Sequence, residues 1–175
     1  TQGQNGQPQA QRNPDACGNA WSVQNIQAVP NADAEMAALT AFDPKSTAII
    51  DSRYADYLGG KTTYAPAKAR LTSYDPKYLE YSVEGGNAFI VFSELFYQGA
   101  GNDWQAYLDG EPVEHIRVNY LLRGLTVPAG KHEVVFEYAP KSHFTGQKIN
   151  YAGSGIILLL LFWMGVKQVR EHTNG

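Results

Sequence analysis

From Ala152 to Val166 the chain reads AGSGIILLLLFWMGV, fifteen residues without a charge, followed closely by Lys167 and Arg170. A stretch like this has no polar side to turn toward water, so it needs an apolar environment on every face. As a helix it measures about 22 Å, short of the roughly 30 Å hydrocarbon core of a bilayer. Tyr151 at one end and the stem of Lys167 at the other narrow the gap. A membrane helix over 149–170 is therefore expected, with a cytoplasmic tail at 171–175. Basic residues beside a span favour the cytoplasmic side, which puts the rest of the chain outside.

What precedes this segment is of another kind. The 11 tyrosines, 17 glycines and 9 prolines point to a turn-rich β protein. Alternation of period two appears at Ala67, Ala69 and Leu71, and again at Leu79, Tyr81 and Val83. Residues 87–95 (NAFIVFSEL) are apolar on both faces and read as a central strand. Trp104, Ala106 and Leu108 form the inward set of the next strand, with Trp104 as a core anchor. Asp109-Gly110 is a hairpin turn in which both positions tolerate positive φ. Strands are expected over Val113–Val118 and Tyr120–Val127. After the Pro128-Ala129-Gly130 turn comes one more, with Val134, Phe136 and Tyr138 facing in and Glu133 and Glu137 facing out. One short helix is predicted from Asn31 to Phe42, capped by Asn31 or Asp33 and stopped by Asp43-Pro44. The fold expected is mainly β, an antiparallel sandwich of jelly-roll type over residues 13–148. Residues 1–12, rich in Gln, Gly and Asn, read as a flexible tail. They carry no apolar run, so an export signal is expected upstream of Thr1, and the chain reads as a fragment of a longer one.

The search for chemistry is mostly negative. With net charge −3 there is no electrostatic footprint for nucleic acid. The single cysteine, Cys17, allows neither an intrachain disulfide nor a cysteine zinc site, and reads as a small, partly buried hydrophobe. His115, His132, His143 and His172 show no metal-ligand spacing, and His132-Glu133 lacks the rest of a zinc-protease pattern. Gly99-Ala100-Gly101 precedes a strand, whereas a phosphate-binding loop precedes a helix. Gly153-Ser154-Gly155 opens the apolar segment and so cannot be a hydrolase elbow. No catalytic, cofactor or metal residue is assigned.

Glu94, in the apolar strand, is either a buried acid with a raised pKa or the partner of Arg117 or Arg123 in a structural pair. Asp103 and Asp109 flank the next strand. Trp21, Tyr97, Trp104 and Tyr107 are candidates for a sugar-stacking platform. The candidate ligand surface is Tyr97, Tyr107 and Glu94, for a possible glycan.

Several segments together resemble the C-terminal region of YfhO-family bacterial membrane proteins. They are Asn13-Pro14-Asp15-Ala16-Cys17-Gly18-Asn19-Ala20-Trp21, Ser93 to Tyr97, Asp103 to Gly110, Val118 to His132 and Phe136 to Pro140. The resemblance covers about 13–170. It implies the outer domain and last membrane helix of a polytopic protein that looks like a glycosyltransferase using lipid-linked sugars in the cell envelope. The catalytic acid of that family is expected near its N-terminal membrane helices, so no catalytic residue carries over. The function expected is a non-catalytic accessory domain on the outer side of the bacterial cytoplasmic membrane. Its partners would be the bilayer and the membrane part of the parent. The alternative is a membrane-anchored carbohydrate-binding or structural module. An exposed row among Tyr54, Tyr57, Tyr64, Tyr97 and Tyr107 would favour binding, and its lack the accessory role.

Overall fold

The computed structural model describes residues 13–97 and 103–173. The predicted tail at 1–12, Gly99-Ala100-Gly101 and the end of the 171–175 tail lie outside the described residues. Strands predominate over helix, and the two larger sheets are antiparallel. The chain divides into two compact units, one of residues 1–96 and 105–137, the other of 97–104 and 138–175.

The larger unit is built on two sheets. The first has the order β1 (Ala20–Val23), β6 (Ala88–Leu95), β10 (Leu122–Val127), β9 (Ile116–Val118). The second runs β4 (Ala67–Asp75), β5 (Tyr78–Gly85), β11 (Gly130–Tyr138), β7 (Trp104–Leu108), β8 (Glu111–Val113). β6 has strands on both sides, so both its faces can be buried, and Ala88 to Phe92 are buried without a break. Alternate residues of β5 and β11 (Leu79, Tyr81, Val83; Val134, Phe136) form the inner face of the second sheet. The rings of Tyr81, Phe92 and Phe136 join the two sheets edge-to-face, with centroids 4.8 Å apart for Tyr81–Phe92 and 4.9 Å for Phe92–Phe136. At the margin, Ser22 Oγ donates to the Ala67 carbonyl and accepts from the Ala67 N–H, tying β1 to β4.

A third layer has no counterpart in the sequence-based expectation. β2 (Asn25–Val29) and β3 (Thr47–Asp51) pair in parallel, and α1 (Ala32–Ala38) with a 3₁₀ turn at Leu39–Ala41 lies on the crossover between them. Ile26, Ala48 and Ile50 pack with Val23, Phe89, Val91, Ile116 and Val118 to make a second apolar core on the other face of the first sheet. The strands are only five residues long, and β3 is buried on both faces, so neither carries an alternating signature. The helix itself agrees with the sequence reading: the Asn31 side chain accepts from Ala34 N–H at 2.9 Å.

Turn chemistry is also as expected at two places. Asp109 and Gly110 have φ of 52° and 85°, and Gly130 has φ of 137°. The strand expected over Val113–Val118 is instead two strands in different sheets, with Glu114 and His115 at the corner where the chain crosses. Tyr120 is not in a strand either. With Asn119 it forms a turn at φ of 48° and 70°, a region a bulky side chain rarely enters.

In the smaller unit Trp104 is half-buried and packs on the Tyr138 ring at 5.4 Å, so it is not an anchor of the main core. Ala139 N–H donates to the Asp103 carbonyl at 2.7 Å. Helix α2 spans Lys141–Thr173, beginning eight residues before the expected membrane helix. Ile156 to Met164 are all exposed, and their apolar side chains point to every side of the helix. Among the described residues, no helix is long and apolar enough to cross a membrane.

Candidate functional site

Three groupings of polar side chains stand out in the larger unit. The first lies where α1 meets the β9–β10 turn. Glu35 is fully buried in the first turn of α1. Its Oε2 accepts from Arg117 Nη2 at 2.6 Å and its Oε1 from the Tyr120 N–H at 2.7 Å. Asn119 completes the clamp: its Oδ1 accepts from Ile49 N–H and its own N–H donates to the Ile49 carbonyl, both at 2.8 Å. These bonds hold two left-handed residues in place. Asp51 accepts from Arg53 Nη2 at 2.7 Å and lies 4.0 Å from Arg117. The Arg53 side chain and N–H, with Arg117 behind, hold the Asp51 carboxyl below its usual range. Every acid here is committed to a cation or an N–H, an arrangement that fixes a turn.

The second grouping sits between the two antiparallel sheets. Arg123 on β10 is 2% exposed. A bulge explains its neighbours: Leu122 pairs with Leu95 but Arg123 pairs with Phe92, so Ser93 and Glu94 are extra residues on β6. Arg123 Nε donates to the Leu95 carbonyl at 3.0 Å, and the guanidinium lies 5.0 Å from the Phe136 ring centre. Burial pulls the Arg123 pKa down to about 10, opposed by the nearby Glu94 and Tyr81. Glu94 is half-buried and close enough for its charge to act on Arg123, one of the two partners expected for it. Arg117 belongs to Glu35. The His115 ring packs between Phe96 and Phe136, and burial, then the charge of Arg123, depresses its pKa to about 4. Burial, then Glu94, raises that of Tyr81. The Tyr81 hydroxyl and His115 Nε2 are buried with no hydrogen-bond partner among the described residues.

The third grouping is a cleft of about 330 Å³ between the 57–64 segment and the β5–β6 and β10–β11 connections. Gly59 and Gly60, at φ of 56° and 79°, turn the chain back after the 3₁₀ turn Asp56–Leu58 and bring Lys61 and Tyr64 to the cleft. Tyr64 N–H donates to the Gln24 carbonyl and Ile26 N–H to the Thr62 carbonyl, which secures the segment on β2. The Tyr57 hydroxyl lies 3.0 Å from Thr126 Oγ1 and accepts from Thr126 N–H at 3.1 Å, fixing one wall. Its burial raises the Tyr57 pKa. Lys61 Nζ stands 4.7 Å from the centre of the Tyr64 ring. Asn87 Oδ1 accepts from Ala129 N–H at 3.1 Å.

The other residues singled out from the sequence are scattered. Glu94 and Tyr107 stand on strands of different sheets, and Tyr97 is exposed in the smaller unit. Tyr54, Tyr57, Tyr64, Tyr97 and Tyr107 do not make an exposed row, since Tyr64 is buried and Tyr54, Tyr57 and Tyr107 are half-buried. Trp21 donates its indole N–H to the Pro44 carbonyl at 2.7 Å. Cys17 is half-buried. Among the described residues no three His, Cys, Asp or Glu side chains converge as a metal site would require. Sequence reasoning did not single out Glu35 or Asn87 as site residues. At α1 the pattern misleads, because Met36 is exposed while Glu35 beside it is buried. In comparisons with known proteins, no family model, no curated protein and no solved structure matches the chain.

Proposed function

We propose that the chain is a non-catalytic β-sandwich module held at a membrane by α2. Its role is that of the outer accessory domain of a larger membrane protein, in line with the glycosyltransferase-like resemblance. The observation that carries the reading is the exposure of Ile156 to Met164 around the whole helix. Leaving so many large apolar side chains in water costs about 1.5–3 kcal/mol each relative to burial. Gly153 and Gly155 weaken the helix further in water, and lipid removes both problems. Lys167 lies 5.9 Å from the Trp163 ring centre, a pairing suited to the headgroup region. The reading puts the sheets on the extracytoplasmic side of the bacterial cytoplasmic membrane, the side favoured by the basic Lys167 and Arg170 after the apolar run.

The test is flotation of the full chain with phospholipid vesicles followed by alkaline extraction. Wild type should float and resist extraction, and Leu159→Lys combined with Leu160→Lys should stay in the aqueous fraction. A wild-type chain that is monomeric without lipid or detergent and does not float would overturn the reading. A second reading, glycan recognition, is favoured by one observation, the tyrosine-walled cleft beside Lys61 and Asn87.

A further inference from the structure

We propose that this cleft binds a single pyranose ring carrying a carboxylate, that is, one uronic-acid unit of a glycan. The inference rests on the glycan-recognition reading and is independent of membrane attachment.

Size comes first. At about 330 Å³ the cleft is at the small end of ligand sites, enough for one sugar ring and little more. Its walls suit such a ring. Tyr57 and Pro128 offer apolar surface to the C–H face of a sugar, and the buried Tyr64 ring carries the Lys61 ammonium. Tyr57 is held by two contacts to Thr126, so no ordering cost falls on that wall when a ligand arrives.

Polar groups decide the charge of the ligand. Asn87 commits its carbonyl oxygen to Ala129 N–H, which fixes the orientation of the amide. Its NH₂ group has no protein partner among the described residues and remains as a donor. Lys61 has no carboxylate within ion-pair distance among the described residues, only the Tyr64 ring beneath it. Among the described residues no acid lines the cleft, and the charge of Glu114 adds to the rise in the Tyr57 pKa. One ammonium and one amide donor over an aromatic wall match a ring with an anionic acceptor at its edge. An anionic ring gains a counter-charge at the Lys61 ammonium that a neutral sugar does not.

The experiment titrates the full chain in detergent solution with methyl β-D-glucuronide and, separately, methyl β-D-glucoside. Binding is followed by backbone amide NMR and by calorimetry. The glucuronide should shift the signals of Lys61, Asn87 and Thr126 and bind at least five-fold more tightly than the glucoside. Asn87→Asp keeps the oxygen that accepts from Ala129 and puts a negative charge in the cleft. It should weaken glucuronide binding at least ten-fold with an unchanged melting temperature. Lys61→Met, at an exposed position, should bring the glucuronide down to the level of the glucoside. Equal affinity for the two sugars would overturn the acidic-sugar assignment. Shifts clustered elsewhere would overturn the cleft while leaving glycan recognition standing. No response to either sugar would overturn both.

Discussion

Arg117 and Arg123 stand directly opposite one another on β9 and β10, and the fold treats them in opposite ways. Like charges across a strand pair repel, so each needs its own compensation. Arg117 finds it in a fully buried carboxylate at 2.6 Å, which also receives the N–H of a left-handed Tyr120. Arg123 is buried even more deeply, and the groups around it include aromatic rings, the Leu95 carbonyl and a half-buried Glu94. The first arrangement joins three segments distant in sequence: α1, β3 and the β9–β10 turn. The second places charge in a core that apolar side chains could fill. A buried ion pair that organises a turn should be hard to break, whereas a buried cation packed on rings also contributes through its apolar stem, which another long side chain can replace.

The largest expected effect follows from that contrast. Glu35→Ala leaves Arg117 without its nearer counter-charge and frees the Tyr120 N–H, and should cost about 3–5 kcal/mol in urea unfolding. Arg123→Met keeps the packing on Phe136 but leaves the Leu95 carbonyl without its donor, and should cost less, about 1–3 kcal/mol. Equal losses would show that the two arginines play the same role.

His115 sharpens the comparison through pH. Its folded pKa of about 4 lies below the ordinary value of 6.5, so the unfolded chain takes up the proton first. Stability should be intact above pH 6.5 and fall by on the order of 3 kcal/mol as pH drops to 4. His115→Phe, with a ring of similar shape between Phe96 and Phe136, should flatten that decline. Thermal melts at pH 7 and pH 5 decide it, and an unchanged pH slope in the variant would mean the acid sensitivity lies elsewhere.

The smallest effect concerns an exposed pair that ties the Asp109-Gly110 turn to β11. His132 Nδ1 lies 2.6 Å from Asp109 Oδ2, and Asp109 Oδ1 accepts from Glu133 N–H at 2.8 Å. The bond to Asp109 raises the His132 pKa, and the bonds to His132 and Glu133 lower that of Asp109. The histidine contribution is complete below its ordinary pKa and is lost as pH rises through the raised value. The aspartate contribution is present above the usual carboxylate range and is lost as pH falls through the lowered value. A His132→Gln variant should therefore differ most from wild type near pH 5–6, below the ordinary histidine pKa, and converge with it as pH rises past the raised value, as read by melting temperature.

Local chemistry was legible in the sequence. The left-handed Asp109-Gly110 turn, the glycine after Pro128-Ala129, the Asn31 cap and the period-two faces of β5 and β11 each depend on a few adjacent residues and their backbone angles. So does the apolar, polar-faceless character of α2. Tertiary structure alone decided the rest. That Arg123 reaches the Leu95 carbonyl depends on a register shift between β6 and β10. That β2 and β3 pair in parallel depends on packing against the back of the first sheet. The cleft brings Tyr57, Lys61, Asn87 and Thr126 together from three connections. No adjacent-residue rule reports such meetings, because the energies that choose among them come from long-range burial and pairing, which one stretch of chain does not carry.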